Sequence, residues 1–330
     1  MSIREMADLM QQAEARGYAM GFFSETINLV RDSVSALAAF GVATQTLALG
    51  TTQIVRLRSP ITMAQTAASL DELTGGRFIL APGACTRNHA RLFGLEHVDP
   101  ALTLTEWVQA MRLLLTGERV SFAGETVRFE NVGLAWRPLR PHISMWIAAT
   151  SRTGLRLAGQ LGDGVLLNAI ASPEYTANAV KIVREAAEAA GRNWAGFEVA
   201  KIVNCSLEDD RDLALDAIRW EVASKFHPMR ASYNARIRAG VGEPFINADD
   251  IPNFKDVYKR GGKDALAEAI PTSYIEGLTA SGTADDVRQR VQRYRDAGVM
   301  LPLLRPAARH QMQALLDLFA PTRVGISWHP

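Results

Sequence analysis

LALGTTQIVRLRSPITMAQTAASLDELTGGRFILAPGAC, Leu47 to Cys85, holds two strand patterns with a helix between them. "TLALG" (Thr46 to Gly50) is a short apolar run with strand character. Ser59 and Pro60 form a cap followed by the proline favoured at the first helical position, and "ITMAQTAASLDEL" carries the helical period. The Gly75-Gly76 pair closes that helix. Phe78 to Ala81 then reads as a buried strand that stops at or just before Pro82, because proline cannot donate to a central ladder. A strand-helix-strand unit of this length implies a right-handed crossover between parallel strands.

The same rhythm extends in both directions. Ile3, Met6, Leu9, Met10 and Ala13 mark a helical face ended by Gly17, and "YAMGFF" (Tyr18 to Phe23) is strand-like. Asp32 caps a helix through "SVSALAAFGVATQ". Further on, "MWIAA" (145–149), "GVLLN" (164–168), "FEVAKIVNC" (197–205) and "VMLPLL" (299–304) read as strands, each followed by a helical pattern. The count is seven strands, and the chain opens on a helix. An α/β fold with a parallel sheet follows, either open and doubly wound or closed as a barrel. Residues 117–134 read as a hairpin, and residues 228–262 as a polar insertion bearing Gly and Pro; neither has linker composition, so residues 1–330 are read as one domain.

Composition narrows the function. Of 330 residues, 48% are hydrophobic and 22% charged, and a net charge of +1 gives no basic face for nucleic acid. The apolar stretch Val34 to Gly50 is interrupted by hydroxyl and amide side chains and falls short of the roughly 18 residues a membrane span needs. Two cysteines, Cys85 and Cys205, make no disulfide framework and point to a reducing, cytoplasmic compartment. The three-glycine dinucleotide fingerprint, the phosphate loop, paired metal-spaced histidines and the Gly-x-Ser-x-Gly elbow are all missing.

Small and hydroxylic residues remain at strand ends. "GTTQ" (Gly50 to Gln53), "GACTRN" (Gly83 to Asn88) and "ATSRT" (Ala149 to Thr153) each follow a strand pattern. Small residues let a flat ligand lie against backbone, and a Thr-Ser-Arg-Thr entry into a helix offers N–H groups and hydroxyls to an anion. Taken singly each is an ordinary turn or cap; three at one end of a parallel sheet make a cofactor pocket. Cys85 reads as a small buried hydrophobe rather than a nucleophile. Glu25, just past a strand, is either an acid or base at the pocket mouth or a solvated loop carboxylate. Arg56, Arg58, Lys255, Lys259 and Arg260 read as surface.

Leu47 to Cys85, "WIAATSRTGLRLAGQLGDGVLLNA" (Trp146 to Ala169) and "SGTADDVRQRVQRYRDAGV" (Ser281 to Val299) together resemble the bacterial luciferase-like family of flavin and deazaflavin oxidoreductases. Arg31 to Phe129 and "GVLLNAIASPEY" are most similar to its methylenetetrahydromethanopterin reductase branch. The resemblance implies a TIM-type (β/α)8 barrel with insertions, whose first strand would be the one missing from the count of seven. It implies coenzyme F420 or FMN as cofactor, a small organic substrate and a homodimer. By resemblance, the strand end Thr51, Thr52 and Gln53 borders the cofactor, with a cis peptide between Thr52 and Gln53. Gly83, Ala84, Cys85 and Asn88 would line the ring or its side chain. The turn from Ala149 through Thr150, Ser151 and Thr153 would receive the phosphate. Where many relatives carry Asp-His after the second strand, this chain reads Glu25-Thr26, so either the reaction is altered or Glu25 takes over the proton. The expected activity is hydride transfer between a reduced deazaflavin or flavin and the substrate. The alternatives are an FMN-dependent monooxygenase using oxygen and a non-catalytic flavin-binding barrel.

Overall fold

The computed structural model describes residues 1–26, 30–85, 87–95, 98–228, 237–247 and 249–321, with the side chains of 87–89 left aside. The chain divides into two compact units. The first comprises Met1–Ala148, Gln160–Gly164 and the residues from Ala320; the second comprises Ala149–Gly159 and Val165–Phe319.

Met1 and Ser2 lie in no strand, and the first unit opens on helix α1 (Ile3–Ala15), whose N-terminus is closed by a Ser2–Glu5 capping box. Strands β1 (Met20–Phe23), β2 (Ala48–Ile54) and β3 (Phe78–Gly83) pair in parallel, and β3 continues to β6 (Trp146–Ala149). Helices α2 (Ser33–Ala43) and α3 (Pro60–Leu73) are the crossovers, capped by Asp32 and Ser59 as their sequences require. Leu47, Leu49, Phe78, Leu80 and Trp146 are buried in the core. Phe22 stacks parallel to Trp146 at 6.4 Å, and only a glycine at position 50 leaves room for it, since a Cβ there would sit 2.5 Å from the Phe22 ring. The Gly75-Gly76 turn has φ of 63° and 84°, conformations that glycine adopts without strain.

Three expectations are corrected here. Strand β3 does not stop before Pro82 but runs through it. Parallel strands turn alternate residues toward alternate neighbours, and Leu80 N–H donates to Ser144, so the missing Pro82 N–H faces the same β6 side. On that side the pairing is an isolated bridge, Leu80 with Met145, and resumes at Gly83 with Ala148. The proline therefore falls in an interruption of the ladder. Thr51, Thr52 and Gln53 lie inside β2 rather than after it, in register with Leu80, Ala81 and Pro82. No peptide bond among the described residues is cis; the unbroken β2–β3 register across Thr52 and Gln53 is that of ordinary trans backbone.

A buried Asp71 on α3 is gripped through both oxygens by Arg140, at 2.5 and 3.1 Å, and Arg140 also donates to the Phe78 carbonyl. Helix α4 (Arg87–Leu92) and helix α5 (Pro100–Leu114) follow β3, and then the antiparallel hairpin of β4 (Val120–Ala123) and β5 (Arg128–Val132), as read from sequence. The hairpin turn is built around Glu106 of α5, which accepts from the N–H groups of Glu125, Thr126 and Val127 and from the Thr126 hydroxyl. Gly124 is required there, because a Cβ would lie 2.5 Å from that carboxylate.

The second unit holds α6 (Arg152–Leu161, to Gly159), β7 (Gly164–Leu167, from Val165), α7 (Pro173–Ala189), β8 (Glu198–Leu207) and α8 (Arg211–Ala223). After these come α9 (Asp250–Ala269), α10 (Thr272–Leu278), β9 (Ala280–Gly282), α11 (Ala284–Asp296), β10 (Leu301–Pro306) and α12 (Met312–Leu318). The strand order is β7-β8-β10, with β9 also pairing parallel to β8. Counting β9 gives eight parallel strands among the described residues, one more than the sequence pattern shows; Ala-Ser-Gly is too short and too polar to show a strand period. The described part of the 228–262 segment includes α9, which bends at Gly262 (φ 67°) and sends Phe254 against Phe226 and Tyr274; residues 229–236 and 248 lie outside the description.

Glu106 gives a stability test. Burial alone would raise its carboxyl, but bonds from Thr126, Glu125 and Val127 hold it at about 2. A native value below the unfolded one stabilises above the usual carboxylate range and is lost as pH falls toward the native value. Glu106→Gln is expected to lower unfolding stability at neutral pH by about 1–3 kcal/mol. In urea melts the gap to wild type should narrow between about pH 5 and pH 2.

Candidate active site

In the first unit the ends of β1, β2 and β3 share one edge. Glu25 stands two residues past β1, and its backbone N–H donates to the Thr52 hydroxyl at 2.8 Å. The neighbouring Thr51 hydroxyl is turned inward and donates to the Phe23 carbonyl at 2.7 Å. The loop that carries Glu25 is thus tied to the strand by two threonines in succession. Gln53 is buried; its amide donates to Ser33 at 2.8 Å, and its side-chain oxygen has no partner among the described residues.

The Glu25 side chain is only 7% exposed, with Arg58 Nη2 3.7 Å from it and 2.7 Å from the more exposed Asp32. Burial raises the Glu25 carboxyl above its ordinary value; Arg58 opposes the shift, and the charge of Asp32 adds to it. The carboxylate of this loop is therefore largely withdrawn from solvent. Arg58, read from sequence as surface, instead sits between these carboxylates, its backbone carbonyl accepting from the Trp107 indole at 3.0 Å. Two acids 26 and 33 residues before it in the chain give no local spacing by which sequence could reveal that role. Lys259 does pair at the surface, with Asp256.

Past β3, Gly83 is half-buried and Ala84 exposed, leaving backbone uncovered by side chains. Cys85 is buried, and burial pushes its thiol up, with Arg56 opposing. A raised thiol is a poor nucleophile. Asn88 lies in α4, its side chain outside the description.

In the second unit, Ala149 ends β6, and Thr150, Ser151 and Thr153 form the entry to α6. Ser151 is the cap: its hydroxyl accepts from Gly154 N–H at 3.1 Å and its carbonyl from Leu155 N–H at 2.8 Å. Gly154 lets the turn close, since a Cβ would sit 3.3 Å from both Ala149 and Ser151. Thr153 is exposed, and helix geometry leaves the N–H groups of Arg152 and Thr153 without intrahelical acceptors. Hydroxyls and first-turn N–H groups with no carboxylate among residues 149–154 are a donor set suited to a phosphate.

The residues after β7, part of the stretch that carries the resemblance, have no site role in the sequence reading. Asn168 to Ala171 are held through their carbonyls by Lys201, Arg238 and Tyr294, and Thr150 through its carbonyl by Tyr175. Burial, then the charge of Arg238, brings Lys201 down to about 7. Backbone-directed bonds of this kind leave no motif. Among the described residues no His, Cys, Asp and Glu cluster could hold a metal, and no helix is long and apolar enough to cross a membrane.

Residues 1–301 match the family model described as luciferase-like monooxygenase. The chain is 28% identical over 301 residues to a 5,10-methylenetetrahydromethanopterin reductase of Archaeoglobus fulgidus, covering 91% of this chain and 88% of that protein. It is 30% identical over 265 residues to an F420-dependent glucose-6-phosphate dehydrogenase of Nakamurella multipartita, covering 75% and 76%. Its fold superposes on the coenzyme F420 dependent tetrahydromethanopterin reductase of Methanopyrus kandleri with a TM-score of 0.84 at 22% identity, over 97% of this chain and 94% of that one. The architecture is accordingly the TIM-type (β/α)8 barrel with insertions.

Both thiols are buried and raised, Cys205 to about 12. A thiol-reactive chromophore at neutral pH is expected to leave both unlabelled in the native protein and to label both in denaturant. Stoichiometric native labelling of Cys85 would contradict the burial described.

Proposed function

Because the chain belongs to the luciferase-like monooxygenase family, we propose that it is an oxidoreductase using coenzyme F420 to move a hydride to or from a small organic substrate. The observation that carries this reading is the carboxylate-free turn from Thr150 to Thr153 at the entry to α6, in a chain related over nine-tenths of its length to a reductase. The deazaflavin would supply the hydride chemistry when bound. Thr52, Gly83, Ala84 and Asn88 are assigned to the ring or its side chain, with Thr51, Gln53 and Cys85 shaping the same edge from the interior. The turn from Ala149 through Thr150, Ser151 and Thr153 is assigned to the phosphate.

Glu25 is assigned the proton transfer. Its side chain is only 7% exposed, burial raises its carboxyl, and Thr52 holds its backbone, so its carboxyl oxygen can give or accept a proton at a fixed place. FMN-dependent oxygen chemistry is the second reading, supported by the family's own description as monooxygenases. A homodimer in the cytoplasm completes the proposal, with light scattering at micromolar concentration to test the dimer.

Fluorescence titration with F420 and with FMN decides between the cofactors: tighter binding of F420 is expected, and tighter binding of FMN overturns the first reading in favour of the second. Glu25→Gln is expected to lower turnover about 10²-fold or more while leaving cofactor affinity in place. The pH profile carries a sign as well. A raised carboxyl stays protonated further into the pH range, so a reaction that needs Glu25 as acid falls as pH rises through its titration, and this limb should vanish in the variant. Unchanged turnover would remove Glu25 from the chemistry.

A further inference from the structure

Ile170 has φ of 54°. A β-branched residue in the left-handed region is an outlier that persists only where its surroundings over-determine it. The surroundings here are specific. Arg238 is buried and donates to the carbonyl of Ile170 and, at 3.2 Å, to that of Ala169. Ser172 N–H donates to Glu243 at 2.9 Å. The Gly240 carbonyl accepts from Arg152, the first residue of α6, at 3.2 Å.

Residues 238–243 therefore form a strap that reaches two loops of the second unit. One is Asn168–Ser172 after β7, and the other is the entry to α6. A second route joins the same two loops. Ser172 caps α7 by accepting from Tyr175 N–H at 3.0 Å, Arg238 lies 6.0 Å over the Tyr175 ring, and the Tyr175 hydroxyl donates to the Thr150 carbonyl at 2.5 Å. Within the strap Gly242 has φ of 95° and packs so closely on Asn178 that a Cβ would lie 2.7 Å from its amide. A buried arginine spent on two carbonyls is costly unless both bonds are made, so the loop and the strap have one mutual fit rather than several.

We infer that Arg238 and Glu243 are positioning residues: through the Asn168–Ser172 loop and Tyr175 they fix the backbone of Thr150–Thr153 in the shape that takes the cofactor's phosphate group. The inference rests on the assignment of that turn to the phosphate made above. Its content is that the strap governs the phosphate-dependent share of cofactor affinity and not the share owed to the ring.

The test uses the whole protein and two matched ligand pairs, FMN with riboflavin and F420 with its deazaflavin lacking the phosphate-bearing tail. Wild type is expected to prefer the phosphorylated member of the pair it binds. Arg238→Lys keeps the charge but cannot fork onto two carbonyls. It should weaken the phosphorylated ligand roughly tenfold, the worth of about one good hydrogen bond, and leave the unphosphorylated one nearly unchanged. Tyr175→Phe removes only the hydroxyl on Thr150, keeps the buried ring and should act in the same direction, which covers the case in which Arg238→Lys does not fold. Equal loss for both ligands, or no loss for either, in the variant that folds overturns the inference. A wild-type protein indifferent to the phosphate overturns the phosphate assignment itself and the inference with it, and this outcome is read without any variant.

Discussion

Parallel pairing is the constraint on which the rest depends. Strands that run the same way end on the same edge of their sheet, and every crossover must return the chain to the opposite edge before the next strand begins. In the first unit this puts the tips of β1, β2 and β3 side by side, so that the backbone N–H of a loop residue after one strand meets a hydroxyl near the end of the next. In the second it puts the loop after β7 within reach of a lysine from the middle of β8. Chemistry at strand ends is thus a consequence of topology before it is a consequence of any motif.

The crossovers and most strands were legible because local signals agree with the fold. Asp32 and Ser59 cap where they should, Gly75 and Gly76 take positive φ, and Glu106 closes a hairpin already visible in its alternating pattern. The misreadings share a cause. Pro82 would break a full ladder, but the side it faces is interrupted. The strand pattern of Thr46 to Gly50 breaks at polar Thr51 to Gln53, yet inside β2 the Thr51 hydroxyl bonds to the Phe23 carbonyl and the Gln53 amide to Ser33. Strand β9 was missed because three small residues have no periodicity to detect. In each case a partner distant in sequence decides the matter.

The candidate site divides in the same way. Small residues at Gly83 and Ala84 and the capped turn at Ser151 show in the sequence because their geometry demands particular residue types. Arg58, Tyr175, Arg238, Lys201 and Glu243 do not. Their partners are backbone groups and, for Arg58, two carboxylates distant in the sequence, and any sequence can supply a carbonyl. The buried polar groups are nonetheless what make the loops singular, since each must find its bond or bear the full cost of lost hydration.

Arg58 has a further consequence. It stands closer to Asp32 than to Glu25, and Asp32 is open to solvent while Glu25 is not. The acidity of the interior carboxyl is therefore partly set from outside, by how strongly an accessible helix-capping aspartate claims the shared guanidinium. Ionic strength, or drift at position 32 over evolutionary time, can retune the inner group while every residue lining the strand ends stays as it is.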